Sequence, residues 1–333
     1  MYSNNPRPRR IAGMLVALVL GLSFLHENAA AAADYPARPV KLIVPMAPGG
    51  SIDIVGRIIA AKLSERLGNP VVVENRGGAG GTVGIATAAG AKPDGYTLLQ
   101  IAASYVINNA VFTNLPYDPA KAFVPVAKFG EGQSVVTVYP KLPVNSIKEL
   151  VALAKKEPGK LNYSAAGVGS FGHLGAEYFI KTAGIDVVAV QFKGAGPAMI
   201  DTAGGHTQMT FGSIMQALPN IQAGTLRALA TAGKRRSALL PNVPTVAEAG
   251  FAGFEASTWW GILAPAGTPH AIVERLDKEL EAIMALPETQ KTFIAQGAEV
   301  DYMGAAEFGR FIAAESSKWE TVVKRAGVRM TQN

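Results

Sequence analysis

The sequence predicts an α/β protein of two units with mainly parallel sheets and a ligand cleft between them. Three observations predict it. Apolar runs of strand length alternate with segments of helical periodicity, and that alternation builds parallel sheets. Two small-residue, glycine-bearing loops, Met46–Gly50 and Ala165–Gly169, each follow a strand and open a helix. In open α/β sheets ligands bind at such strand ends. A chain of 333 residues is also long enough for about two domains, each with its own core.

The elements follow in order. Val40–Val44 is a short apolar strand bounded by prolines. Ser51 is a candidate N-cap, with Asp53 in the first helical turn. Ile54, Val55, Ile58, Ile59, Leu63 and Leu67 recur at helical spacing, and Gly68 followed by Asn69-Pro70 ends that helix. Val71–Val73 is the next strand, and the loop Gly77–Gly81 leads into a small-residue helix over 82–91. Pro93-Asp94-Gly95 is a turn and Tyr96–Ala102 a third strand.

A second unit begins near Ser134, with a strand at Val135–Val138. Ser146 caps a helix that Pro158-Gly159 stops. Leu161–Ser164 is a strand, and Ser170 caps the helix carrying Leu174, Tyr178 and Phe179. Strands are further expected at Val187–Phe192, Gln208–Phe211 and Arg227–Thr231. Near Ser257–Trp260 the chain turns aromatic and extended, and helices over 270–286 and 305–326 follow. The expected organisation is one domain from 34–133 and 258–333, and a second from 134–257.

The N-terminus reads as a secretory leader. Arg7, Arg9 and Arg10 form a basic start, and Ile11–Leu25 is an apolar run short for a bilayer span. After the polar His26-Glu27-Asn28, Ala29–Ala33 offers small-residue cleavage sites, so cleavage is expected near Asp34. An uncleaved anchor is the alternative. The residues after Arg9-Arg10 do not support twin-arginine export. The mature protein is expected outside the cytoplasm.

Composition excludes several function classes. The chain has no cysteine, which leaves no thiol nucleophile, thiolate metal site, disulfide or lipidated cysteine. The formal charge is +6; residues 1–33 hold three arginines against one glutamate, so the remainder carries +4. Its basic residues are scattered, with Lys234-Arg235-Arg236 the one tight cluster, so no nucleic-acid stripe is expected. A mild positive field still favours anions.

Two loops carry the chemistry. Pro45–Asp53 brings exposed amides and a helix dipole together, which favours an anion, and Gly49 and Gly50 admit close approach. A tight strand-to-helix turn without a ligand is the plainer alternative. Asp53 reads as a dipole-complementing residue rather than a catalytic acid. Ala165–His173 repeats the design, with Ser170 at the cap and amides near Gly167 and Gly169. His173 in that first turn is either a capping group or a ligand contact. One loop per unit makes a pincer for one or two carboxylates.

Enzyme signatures fail. Gly78–Gly84 misses the dinucleotide glycine spacing, no phosphate-loop motif exists, and Val168 spoils a nucleophile elbow around Ser170. Ser170 and His173 are an i, i+3 pair in one turn, which is usually local capping. His173, His206 and His270 have no metal-ligand spacing. No metal, cofactor or catalytic residue is expected.

Taken together, certain stretches resemble the Bug family of solute receptors, the extracytoplasmic subunits of tripartite tricarboxylate transporters. They are Tyr35–Pro45, Ala47–Asp53, Val71–Arg76, Gly78–Gly81, Pro93–Tyr96, Asn162-Tyr163 with Gly167, Gly169, Ser170 and His173-Leu174, and Lys193-Gly194. Leu226–Leu229, Leu240–Thr245 with Ala247-Glu248, Trp260–Ile262 and Ala264–Thr268 complete them. The resemblance implies a clamshell-like periplasmic-binding-protein fold of type II. It implies capture of a carboxylate by Met46, Ala47, Pro48, Gly49, Gly50, Ser51 and Asp53 on one side. On the other it implies Ala165, Gly167, Gly169, Ser170 and His173, with Ser104, Gly212 and Ser213 as further contacts. A monomer that delivers its solute to membrane permease subunits is implied as well. Val190-Gln191-Phe192 departs from the family's common Val-Pro-Tyr. Gly212 stands where many relatives carry Asp, which puts in doubt an amino-acid ligand that needs its ammonium paired. A receptor serving a membrane sensor and an α/β enzyme are the rival functions.

Overall fold

The computed structural model describes residues 35–326, so the expected leader and its cleavage site lie outside the described residues. From the first described strand onward, β1 (Val40–Val44), β2 (Val71–Asn75) and β3 (Thr97–Ala102) are parallel, with β1 between the other two. Val40, Leu42, Ile43 and Val44 are all buried, which is why β1 reads as a nearly continuous apolar run rather than an alternation. Helix α1 (Ser51–Leu67) buries Ile52, Val55, Ile59 and Leu63, and Gly68 ends it by donating its N–H to Ser64 O. Helix α2 (Thr82–Ala89) follows a single 3-10 turn at Ala79–Gly81, and α3 (Ser104–Val111) follows β3 directly.

Strand β4 (Phe123–Val138) is 16 residues long and belongs to two sheets. From Phe123 to Gln133 it pairs antiparallel with β9 (Ser257–Pro265), which itself lies beside β3. Strand β10 (Ala298–Gly304) pairs with the same half of β4. From Ser134 onward β4 pairs with β7 (Met209–Ser213), and from Val135 with β8 (Arg227–Thr231). Strand β5 (Asn162–Ala165) then runs parallel to both β7 and β6 (Val188–Gln191). The expected parallel character therefore holds in β2-β1-β3 and in β7-β5-β6, while the crossing strands β4 and β9 run antiparallel to their neighbours.

Around the second sheet stand α4 (Ile147–Lys156), α5 (Phe171–Ala183), α6 (Ala195–Ala203) and α7 (Ile214–Gln222). The chain then returns to the first sheet through β9 and closes with α8 (His270–Ala285), α9 (Pro287–Ala295) and α10 (Ala305–Ala326). One apolar cluster joins α1, β1, β9 and α8 around Trp260 and Leu276. A second joins β5, β7 and α5 to β3, α3 and α10, and includes Tyr163, Phe179, Phe211 and Trp259.

Candidate functional site

The loop after β1 shapes the first half of the site. Gly50, with extended φ −83° and ψ 163°, occupies the N-cap of α1, and no side chain caps it. The expectation that Ser51 caps this helix is corrected: Ser51 is its first helical residue. Its N–H instead points across the cleft to Gln216 Oε1 at 3.4 Å. Asp53 braces the loop from below. Its carboxylate accepts from Gly49 N–H at 3.1 Å and Asn75 Nδ2 at 2.9 Å, and it pairs with Arg57. Burial alone pushes the Asp53 pKa up, but those hydrogen bonds and the guanidinium outweigh burial and hold it below the usual carboxylate value.

The second half is built by the loop after β5. Ser170 caps α5, its Oγ accepting from His173 N–H at 3.2 Å. His173 Nδ1 accepts from Gly169 N–H at 3.4 Å, which ties the residue before the cap to the first turn of the helix. Burial pushes the His173 pKa below its ordinary value, against the opposing carboxylate of Glu177. The neutral ring this favours is the form that can accept at Nδ1. His173 thus serves the cap.

Between the halves lies a cavity of about 70 Å³. Of the residues expected at the site, Met46, Ala47, Gly50 and Ser51 line it from one side and Ser104, Ser170, Gly212 and Ser213 complete its wall. Pro48, Gly49, Asp53, Ala165, Gly167, Gly169 and His173 are not in its wall. They shape the two loops that frame it. Sequence reasoning missed Ser164, Ala195, Ala198, Thr210, Gln216 and Thr258, among others. Ala195 had a legible signal, since Lys193-Gly194 opens a third strand-to-helix turn. Gln216 and Thr258 had none, because only the order of strands in the sheets brings them here.

Five helix starts face this cavity: Gly50-Ser51 of α1, Ser104 of α3, Ser170–Gly172 of α5, Ala195 of α6 and Ser213 before α7. Among the described residues that line it, none is charged. The positive dipole ends of these helices are therefore its electrostatic character. Ser213 Oγ is buried there with no hydrogen-bond partner among the described residues. Arg76 is outside the wall, and its guanidinium is occupied by Glu74.

A wider groove of about 790 Å³ lies beside Gly132, Gln133 and Ser257. Its cations are already matched, Arg235 with Glu299 at 3.1 Å and Lys234 with Glu255 at 3.9 Å. The small cavity, by contrast, has no charged residue among the described residues of its wall.

Residues 55–328 match the family model described as "Tripartite tricarboxylate transporter family receptor". The chain is 36% identical to protein BugT of Bordetella pertussis (strain Tohama I), over 94% of this chain and 97% of that protein. Among solved structures it is similar to an R. palustris protein with adipate, at TM-score 0.87 and 34% identity, covering 90% of this chain and 100% of the other. It is similar to the periplasmic binding protein BugD at TM-score 0.86 and 34% identity, again over 90% and 100%. MatC from Rhodopseudomonas palustris with bound malate matches at TM-score 0.82 and 31% identity, over 87% and 100%.

Proposed function

The chain belongs to the tripartite tricarboxylate transporter receptor family, and we propose that it works as a periplasmic receptor that closes two domains on a small carboxylate and passes it to membrane permease subunits. The observation that carries this reading is the charge-free cavity ringed by five helix starts. Such a wall favours an anion, offers no carboxylate to repel it, and holds no arranged nucleophile and base for turnover. A hydrogen bond to a charged group contributes about 1.5–3 kcal/mol net, so a few of them support micromolar binding, which needs about 8 kcal/mol.

The structures with adipate and malate support a dicarboxylate as the first class to try. The domains divide where β4 changes sheets, at 133–134, and again near Ser257. The leader of residues 1–33 accounts for export, and no helix among the described residues is long and apolar enough to cross a membrane. The receptor acts as a monomer.

A thermal-shift screen against mono-, di- and tricarboxylates and aromatic acids tests the reading. A ligand that binds only the folded state raises the melting temperature, by an amount that follows its concentration over Kd. Raised melting with at least one carboxylate, and no turnover of that acid, is the expected result. No shift with any of them, or chemical conversion of one, overturns it.

A further inference from the structure

Ser213-Ile-Met-Gln216 spells a capping box, a serine at a helix N-cap with a glutamine three residues on. In a closed box the N-cap oxygen accepts from the third helical N–H, and the third side chain accepts from the N-cap N–H. Thr245 and Glu248 close one in this way, at 3.0 and 2.9 Å. Ser213 has the backbone of an N-cap, φ −64° and ψ 140°, directly before α7. Yet no side chain caps α7. Ser213 is 3% exposed, and its Oγ has no partner among the described residues. Gln216 reaches away from its own helix, and its Oε1 accepts from Ser51 N–H on the opposite wall of the cavity at 3.4 Å.

That bond settles the orientation of the Gln216 amide. A backbone N–H is met by an amide oxygen and not by an amide NH₂, so Nε2 is the end left over. It donates to no described residue. Gly212 makes room for it, since a Cβ at that position would lie 2.4 Å from Gln216 Nε2. Gly212, Ser213 and Gln216 all line the cavity. Two side-chain donors, Gln216 Nε2 and the Ser213 hydroxyl, thus stand in one uncharged wall without an acceptor of their own. A bound anion is the group that supplies acceptors to both.

We propose that Gln216 is a ligand-contacting residue, its Nε2 donating to a carboxylate oxygen beside the Ser213 hydroxyl, with Ser51 N–H and Gly212 holding it in place. This rests on the carboxylate reading above. The capping box of α7 is left open because its two side chains serve the ligand instead of the helix.

Calorimetry with malate, succinate and adipate on the full mature chain tests it, with melting curves to verify folding. Ser213→Ala and Gln216→Ala are each expected to lower affinity by about tenfold. Gln216→Glu keeps an acceptor for Ser51 N–H but loses the donor, so its affinity should fall at least as far as that of Gln216→Ala. Gly212→Ala displaces only the end of the Gln216 side chain. It should lower affinity in the wild-type background and cost nothing more in Gln216→Ala. Should Gly212→Ala not fold, Gln216→Glu carries the test. Wild-type affinity in Ser213→Ala or Gln216→Ala marks a structural role and overturns the proposal. Wild-type affinity in Gln216→Glu, which leaves only the bond to Ser51 to matter, overturns it as well. So does an equal loss from Gly212→Ala with and without Gln216. In each of these cases the receptor reading stands, whereas absence of binding by the wild-type chain to all three acids overturns both.

Discussion

A Cβ placed on Gly169 would lie 2.5 Å from Asn108 Oδ1 and 2.9 Å from the Phe112 ring, at a φ of +75° that L side chains rarely adopt. Gly169→Val therefore forces the second loop off its cap, and its carboxylate affinity should fall by about 1–3 kcal/mol or more. Arg76→Ala removes only a half-exposed partner of Glu74 and should stay within about 0.5 kcal/mol of wild type. Calorimetry on folded variants ranks the two, and the reverse order would replace the amide pincer with an arginine clamp. His173 supplies a pH dependence. Its folded pKa lies below the unfolded value, so between the two the unfolded chain binds more protons and stability falls as pH falls. The urea midpoint should decline as pH drops below about 6.5, and decline less in His173→Gln. The Ser170 cap was legible because capping is a local exchange within one turn. Ser51 was misread because Gly50 beside it takes the same position, and its own amide is claimed by Gln216, 165 residues away.

The loop Gly77–Gly81 failed as a nucleotide motif, and its role emerges only from what it meets. A Cβ on Gly80 would overlap Val168 O in the second loop, and Asn108 Nδ2 donates to Gly80 O at 2.9 Å. Gly80→Ala should hold the two halves apart, lowering carboxylate affinity while the melting curve stays cooperative. Scattering on the liganded variant, compared with wild type, measures the lost compaction, and an equal radius would show that the contact is slack. Strands β1, β2 and β3 and helices α1 and α5 were legible because each has one clean apolar pattern and a stop signal. The first half of β4 and all of β10 were not. Lys128 interrupts the apolar pattern, and Glu131, Glu299 and Asp301 make these segments look like solvent loops. In the fold Lys128 is fully buried, paired with Asp301 and Glu131, which hides a charge inside a strand. Helix α9, at Pro287–Ala295, was missed for want of a wide apolar face, since it buries little beyond Thr289 and Phe293.

In the whole molecule, β4 exchanges partners between Gln133 and Ser134, and the second passage lies beside it, with Ser257 registered on Gln133 and Ala256 N–H donating to Ala232 O at 2.9 Å. We propose these neighbouring crossings as a hinge, near 132–136 and 255–260. Contacts made to both loops only when the cleft is shut drive closure. Small-angle scattering should show a smaller radius with saturating dicarboxylate, and an unchanged radius would count against the hinge. The repeated strand–loop–helix design was legible, but not the pairing of one continuous strand, β4, on both sides of Gln133–Ser134, because nothing local marks that exchange of partners. The same strand arrangement also sets an order of assembly. Strand β9 sits between β3 and β4, yet it leaves the ribosome about 120 residues after β4 ends. Until then β3 and the first half of β4 are open edges, the kind that recruit other chains. A nascent or truncated chain ending before Ser257 lacks the strand that covers them. The last quarter of the chain thus seals edges laid down in its first half.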